Sequence, residues 1–133
     1  LGRLLQAGDC LALCGPLGAG KTCLVGGVAD GMGVEGRVAS PSFIIMRAHR
    51  GPVWLYHADA YRLDDAEELV DAGLDEWLEN GVVALEWAER ADGVLPNGAL
   101  HIALAYAEDG RRICFTARDT RGRELIRLLR ETT

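Results

Sequence analysis

Eight consecutive residues, Gly15-Pro16-Leu17-Gly18-Ala19-Gly20-Lys21-Thr22, restrict this chain more than any other stretch. They form an unbroken G-x-x-x-x-G-K-[ST] phosphate loop. The glycines let the backbone bend so that several N–H groups face one anion. Lys21 brings a compact positive charge to the β- and γ-phosphates, and the Thr22 hydroxyl reaches Mg2+. Such a loop works only between a strand and a helix, because the helix N-terminus adds further anion-facing N–H groups. Residues 10–14, Cys-Leu-Ala-Leu-Cys, are an apolar run of strand length. Residues 22–31 carry the helix, and Gly31 and Gly33 stop it.

Lys21 is the sole lysine, and the other thirteen cationic side chains are arginine. Arginine serves for surface charge elsewhere, whereas a narrow ammonium on a flexible stem fits between phosphates where a planar fork does not. The 133 residues are 49% hydrophobic. They are expected to make one domain, 1–133, around one core. No run approaches the ~20 apolar residues of a membrane span, and no signal peptide is visible. A cytoplasmic protein without a membrane partner is the expectation. The chain opens at Leu1 without a methionine, which points to a few missing N-terminal residues. Four cysteines, Cys10, Cys14, Cys23 and Cys114, lack C-x-x-C spacing and are expected to be buried free thiols in a reducing compartment.

A net charge of −6 excludes a protein that grips nucleic acid over its whole surface. The charge is uneven. Ten acids and no basic residue lie between Arg62 and Arg90, while residues 111–130 hold seven arginines and two acids. This asymmetry is either a solvated surface or a docking face for a charged partner.

Residues 1–7 read as the tail of a short helix. Residues 44–49 and 53–57 read as strands, joined so closely by Arg50-Gly51-Pro52 that they form an antiparallel hairpin. The sheet is therefore mixed. Asp64-Asp65 caps a helix that Gly73 interrupts, and residues 74–79 make another. Residues 82–87, Val-Val-Ala-Leu-Glu-Trp, read as a buried central strand that delivers Glu86 to its C-terminal end, where α/β sheets bind ligands. Strands 100–106 and 112–118 meet around Asp109-Gly110 as a second hairpin. Residues 123–130 close the chain as an amphipathic helix.

A phosphate loop binds a nucleotide without cleaving it. Hydrolysis also needs a metal, a carboxylate to manage it, and an oriented water. Glu86 and Asp59, each following an apolar strand, are the candidates. Ser40 and Ser42 flank Pro41 in a stretch that is either a loop over the γ-phosphate or an ordinary turn. Trp87 either stacks on a base or packs in the core. Structural roles are expected for His49 and His57.

The phosphate loop, then Ser40-Pro41-Ser42-Phe43, then His57-Ala58-Asp59-Ala60-Tyr61-Arg62-Leu63, then Glu86-Trp87, resemble in order and interval the bacterial TsaE (YjeE) family. The H-x-D-x-Y-R-L run is the most specific element, because it is no general feature of phosphate loops. Nearly the whole chain is covered. The resemblance implies that residues 15–22 bind ATP, with Thr22 on Mg2+, Glu86 as a second magnesium-associated carboxylate and Asp59 required for hydrolysis. It implies a switch-like loop at Ser40 and Ser42, where serine at 42 replaces the usual threonine. It also implies a tryptophan, Trp87, near the nucleotide, and a Gly-Arg pair that places Arg111 there.

The expected protein is thus a three-layer α/β domain of the phosphate-loop NTPase kind, with a mixed central sheet and helices on both faces. The implied activity is Mg2+-dependent ATP hydrolysis, slow in isolation, that drives TsaD and TsaB in threonylcarbamoylation of adenosine 37. The tRNAs are those reading codons that start with adenine, met only through that complex. Lys21, Asp59 and Glu86 carry the chemistry in this reading, and Thr22, Asp59 and Glu86 manage the metal. Two other readings share the loop: a small-molecule kinase, and a nucleotide-gated binding module without significant hydrolysis.

Overall fold

A computed structural model describes residues 1–34 and 46–132. Within them six strands form one mixed sheet. These are β1 (Cys10–Cys14), β2 (Met46–His49), β3 (Trp54–Asp59), β4 (Gly81–Glu86), β5 (Leu100–Ala107) and β6 (Gly110–Ala117). Their order is β2-β3-β4-β1-β5-β6. The four central strands are parallel, and each edge strand is antiparallel to its neighbour. Both expected hairpins are present. The second turns through residues 108–109, since Ala107 pairs with Gly110. Two-residue connections of this kind match the twist of antiparallel strands.

Helices α1 (Lys21–Met32), α2 (Glu67–Ala72), α3 (Leu74–Asn80) and α4 (Thr120–Thr132) cover the sheet. Two side-chain layers follow from the period-2 alternation of the strands. Leu11, Leu13, Leu55, Val82, Ala84 and Ile102 pack with Val25 and Val28 of α1 and Leu125 of α4. Cys10, Ala12, Ala58, Val83 and Leu85 pack on the opposite face with Leu69 of α2 and with Leu74 and Trp77 of α3. Every residue of β4 is buried, as expected of a strand covered on both faces. At the other extreme β6 is exposed for almost its whole length.

Several local expectations need correction. The N-terminal segment makes one 3-10 turn, Gly2–Leu4. The first helix runs through Gly31 and ends at Gly33, whose left-handed backbone (φ 74°) caps it. The cysteines are free but not uniformly buried: Cys10 is buried, Cys14 half-buried, and Cys23 and Cys114 exposed. Cys114 lies on the uncovered edge strand, and Cys23 faces outward in the first turn of α1. Burial pushes the Cys10 thiol up to about 12, which leaves it unreactive. Among the described residues no helix is long and apolar enough to cross a membrane.

Candidate functional site

Parallel pairing of β1, β3 and β4 brings their C-terminal ends to one edge. Leu13 and Asp59 both pair with Glu86, so the three lie level across adjacent strands. The chain leaves β1 at Gly15 and wraps the phosphate loop over this edge. Gly15 has φ 145°, and a Cβ there would collide with the Leu104 carbonyl oxygen of β5. Gly18 has φ 77°, and a Cβ there would lie 2.8 Å from the Tyr106 hydroxyl. Close backbone approach and left-handed dihedrals are what restrict these positions to glycine.

The loop ends in α1, whose first residues are Lys21 and Thr22. The Lys21 ammonium is buried and donates to the carbonyls of Gly15 and Pro16. It also lies 3.9 Å from the centre of the Trp87 ring, a cation–π contact. Trp87 has φ 58°, the one positive φ outside glycine among the described residues. That turn folds the indole back over Lys21 at the end of β4. Tyr61 packs against the same indole, with ring centres 4.9 Å apart, and the Arg90 guanidinium stands 5.0 Å over Tyr61.

Glu86 is buried. The Thr22 hydroxyl donates to its carboxylate, 2.9 Å from Oε2 and 3.1 Å from Oε1. The His57 Nε2 lies 2.5 Å from Glu86 Oε2. His57 and Asp59 sit two residues apart on β3 and so share one face of the sheet. Asp59 accepts the Tyr61 backbone N–H at 2.8 Å through Oδ1. Partial burial raises the Asp59 pKa above its ordinary value, and the nearby Glu86 charge adds to this while the Tyr61 N–H opposes it. Among the described residues no three His, Cys, Asp or Glu side chains form a group able to hold a metal by themselves.

The β5–β6 hairpin reaches the loop from the opposite side. Tyr106 donates its hydroxyl proton to the Leu17 carbonyl at 2.8 Å, and Arg111 Nη2 lies 3.5 Å from the Gly18 carbonyl oxygen. The Arg111 guanidinium stands 4.5 Å over the Tyr106 ring.

The structure therefore brings Lys21, Thr22, Asp59, Glu86, Trp87 and Arg111 to one edge with the loop, while Ser40 and Ser42 lie outside the described residues. Sequence reasoning missed Tyr61, Tyr106 and the contact of His57 with Glu86. Period 2 puts His57 and Asp59 on one face of β3, but only the pairing of β3 with β4 shows that this face carries Glu86.

The family model described as threonylcarbamoyl adenosine biosynthesis protein TsaE matches residues 1–114, which include each of these site residues. A tRNA threonylcarbamoyladenosine biosynthesis protein TsaE from Treponema pallidum is 41% identical over 113 residues, covering 84% of this chain and 84% of that protein. Its counterpart from Bacillus subtilis is 44% identical over 115 residues, covering 84% and 72%. The one from Streptomyces coelicolor is 48% identical over 94 residues, covering 67% and 63%. The crystal structure of Bacillus subtilis YdiB is similar with a TM-score of 0.83 at 35% identity, covering 98% of this chain and 82% of that one.

Proposed function

The chain belongs to the TsaE family, and on that premise we propose that it is a Mg2+-dependent ATPase serving threonylcarbamoyladenosine formation in tRNA. In this reading it binds TsaD and TsaB, and its hydrolysis of ATP sustains their turnover on adenosine 37. The observation that carries the reading is the meeting of Thr22, Glu86 and Asp59 at the mouth of a phosphate loop.

The donor set fits Mg2+. This ion is bound through one or two carboxylates together with phosphate oxygens and water, and a hydroxyl beside a buried carboxylate offers oxygen donors of that kind. Thr22 Oγ1 and Glu86 Oε2 are 2.9 Å apart. These two groups would hold the ion, which when bound neutralises charge on the β- and γ-phosphates. The loop N–H groups and the α1 N-terminus hold the triphosphate. Lys21 exchanges the Gly15 and Pro16 carbonyls for phosphate oxygens. Asp59 keeps Oδ1 on the Tyr61 N–H and orients the attacking water with its other oxygen. Trp87 and Tyr61 wall the site, and Arg111 braces the loop apex from β6.

The test is ATP turnover by the purified chain, alone and with TsaD and TsaB. Slow hydrolysis alone and faster hydrolysis in the complex are expected, both stopped by chelation. Lys21→Ala is expected to lower turnover by about 100-fold, the scale of losing one preorganised donor. Nucleotide binding without hydrolysis, even in the complex, would overturn the ATPase reading in favour of a nucleotide-gated module.

A further inference from the structure

His57 occupies a place where an apolar side chain would be expected. It is fully buried and follows Leu55 on the same face of β3. Its register partner on β4 is Ala84, also buried. Among the described residues its Nδ1 has no hydrogen-bond partner. A buried ring with one nitrogen unpartnered costs free energy that a leucine or phenylalanine there would not. Among the described residues the one polar contact it makes is Nε2 to Glu86 Oε2, on the diagonal between neighbouring strands. An ionised carboxylate only accepts, so with Glu86 ionised this contact takes the His57 tautomer that carries its proton on Nε2.

We propose that His57 is a positioning residue that holds the Glu86 carboxylate in the orientation in which it meets Thr22. Glu86 ends a strand, and its side chain has three rotatable bonds with which to swing toward solvent. The His57 N–H fixes Oε2 from the core side, and the Thr22 hydroxyl reaches the same carboxylate from α1. His57 thus acts through Glu86 and does not itself touch the phosphates. The proposal rests on the reading of Thr22 and Glu86 as the groups that hold Mg2+.

Two amides test it. The side-chain nitrogen of glutamine can stand where Nε2 stands, whereas that of asparagine stands nearer Nδ1, away from Glu86. Binding of a fluorescent ATP analogue is titrated with Mg2+ for the native protein, His57→Gln and His57→Asn, after thermal denaturation has shown that each melts cooperatively. Groups that orient metal ligands commonly set affinity by 10–100-fold, so His57→Asn should need about 10-fold more Mg2+, with His57→Gln recovering most of the loss. Analogue binding without Mg2+ should be nearly the same in all three. In the native protein labelled with 15N-histidine, a protected Nε2–H resonance should be present and should disappear in Glu86→Ala.

Equal Mg2+ requirements for the two amides, or survival of that resonance in Glu86→Ala, would overturn the positioning role while leaving the ATPase reading intact. If Mg2+ does not alter analogue binding by the native protein, the metal reading itself fails and this proposal falls with it.

Discussion

Two buried carboxylates mark opposite edges of the sheet, and they are held in opposite ways. Asp9, just before β1, is 3% exposed, and Glu86, at the end of β4, is 4% exposed. Asp9 is gripped by Arg121 of α4 through two bonds, Nε to Oδ1 and Nη2 to Oδ2, each 2.8 Å. The Gln6 backbone N–H adds a third at 2.9 Å. The same guanidinium donates to the Leu4 carbonyl and to Glu124. Glu86 instead meets a hydroxyl and an imidazole, while the nearby Lys21 ammonium is turned to loop carbonyls. A planar fork on a carboxylate is a permanent neutralisation, and it ties α4 to the N-terminal segment. Donors such as Thr22 and His57 fix a direction and leave the negative charge for a cation. Equal burial therefore says little about role; the partners decide it.

The same chemical edit at both carboxylates separates these roles. Asp9→Asn removes one partner of a buried ion pair, and about 3 kcal/mol of stability should be lost. Thermal denaturation would read this as a fall on the order of 10 °C, with nucleotide binding by the folded fraction unchanged. Glu86→Gln keeps an acceptor for Thr22 and His57 and should shift stability little, yet ATP turnover should fall about 100-fold, or about 2.7 kcal/mol of transition-state stabilisation. Equal losses of stability at the two sites would break the comparison. Asp59→Asn sharpens it with a smaller effect. Partial burial raises the Asp59 pKa above 3.8, so ionisation is harder in the folded chain than in the unfolded one. The stability it contributes is present at low pH and is lost as pH climbs through the raised value. Asp59→Asn should therefore melt slightly higher than the native chain at neutral pH, and melting curves should converge below about pH 4.

Much of the site was legible because its signals are local. The loop with its flanking strand and helix, the carboxylate that ends an apolar run at Glu86, and both hairpins follow from spacing alone. The strand order was not legible, since β1 finds β4 and β5 through pairings distant in sequence, and alternation does not name a strand's neighbours. The Asp9–Arg121 pair spans the chain for the same reason. His57 was read as structural because an isolated histidine among apolar residues carries no local mark of its partner. Cys23 and Cys114 were misread because an apolar neighbourhood in sequence does not reveal that one lies on the outward side of α1 and the other on an exposed edge strand. Trp87 packs against the core, one of the two readings given, and its left-handed backbone also sends the indole over Lys21, which no local pattern marks.

The level pairing of Asp59 with Glu86 makes the backbone ladder a ruler. Parallel neighbours stand about 4.8 Å apart whatever their side chains. The gap between the two acids is thus inherited from the interstrand hydrogen bonds of β3 and β4. Substitutions in surrounding loops can retune reach and charge, but only an inserted residue that shifts the ladder could change the graduation itself.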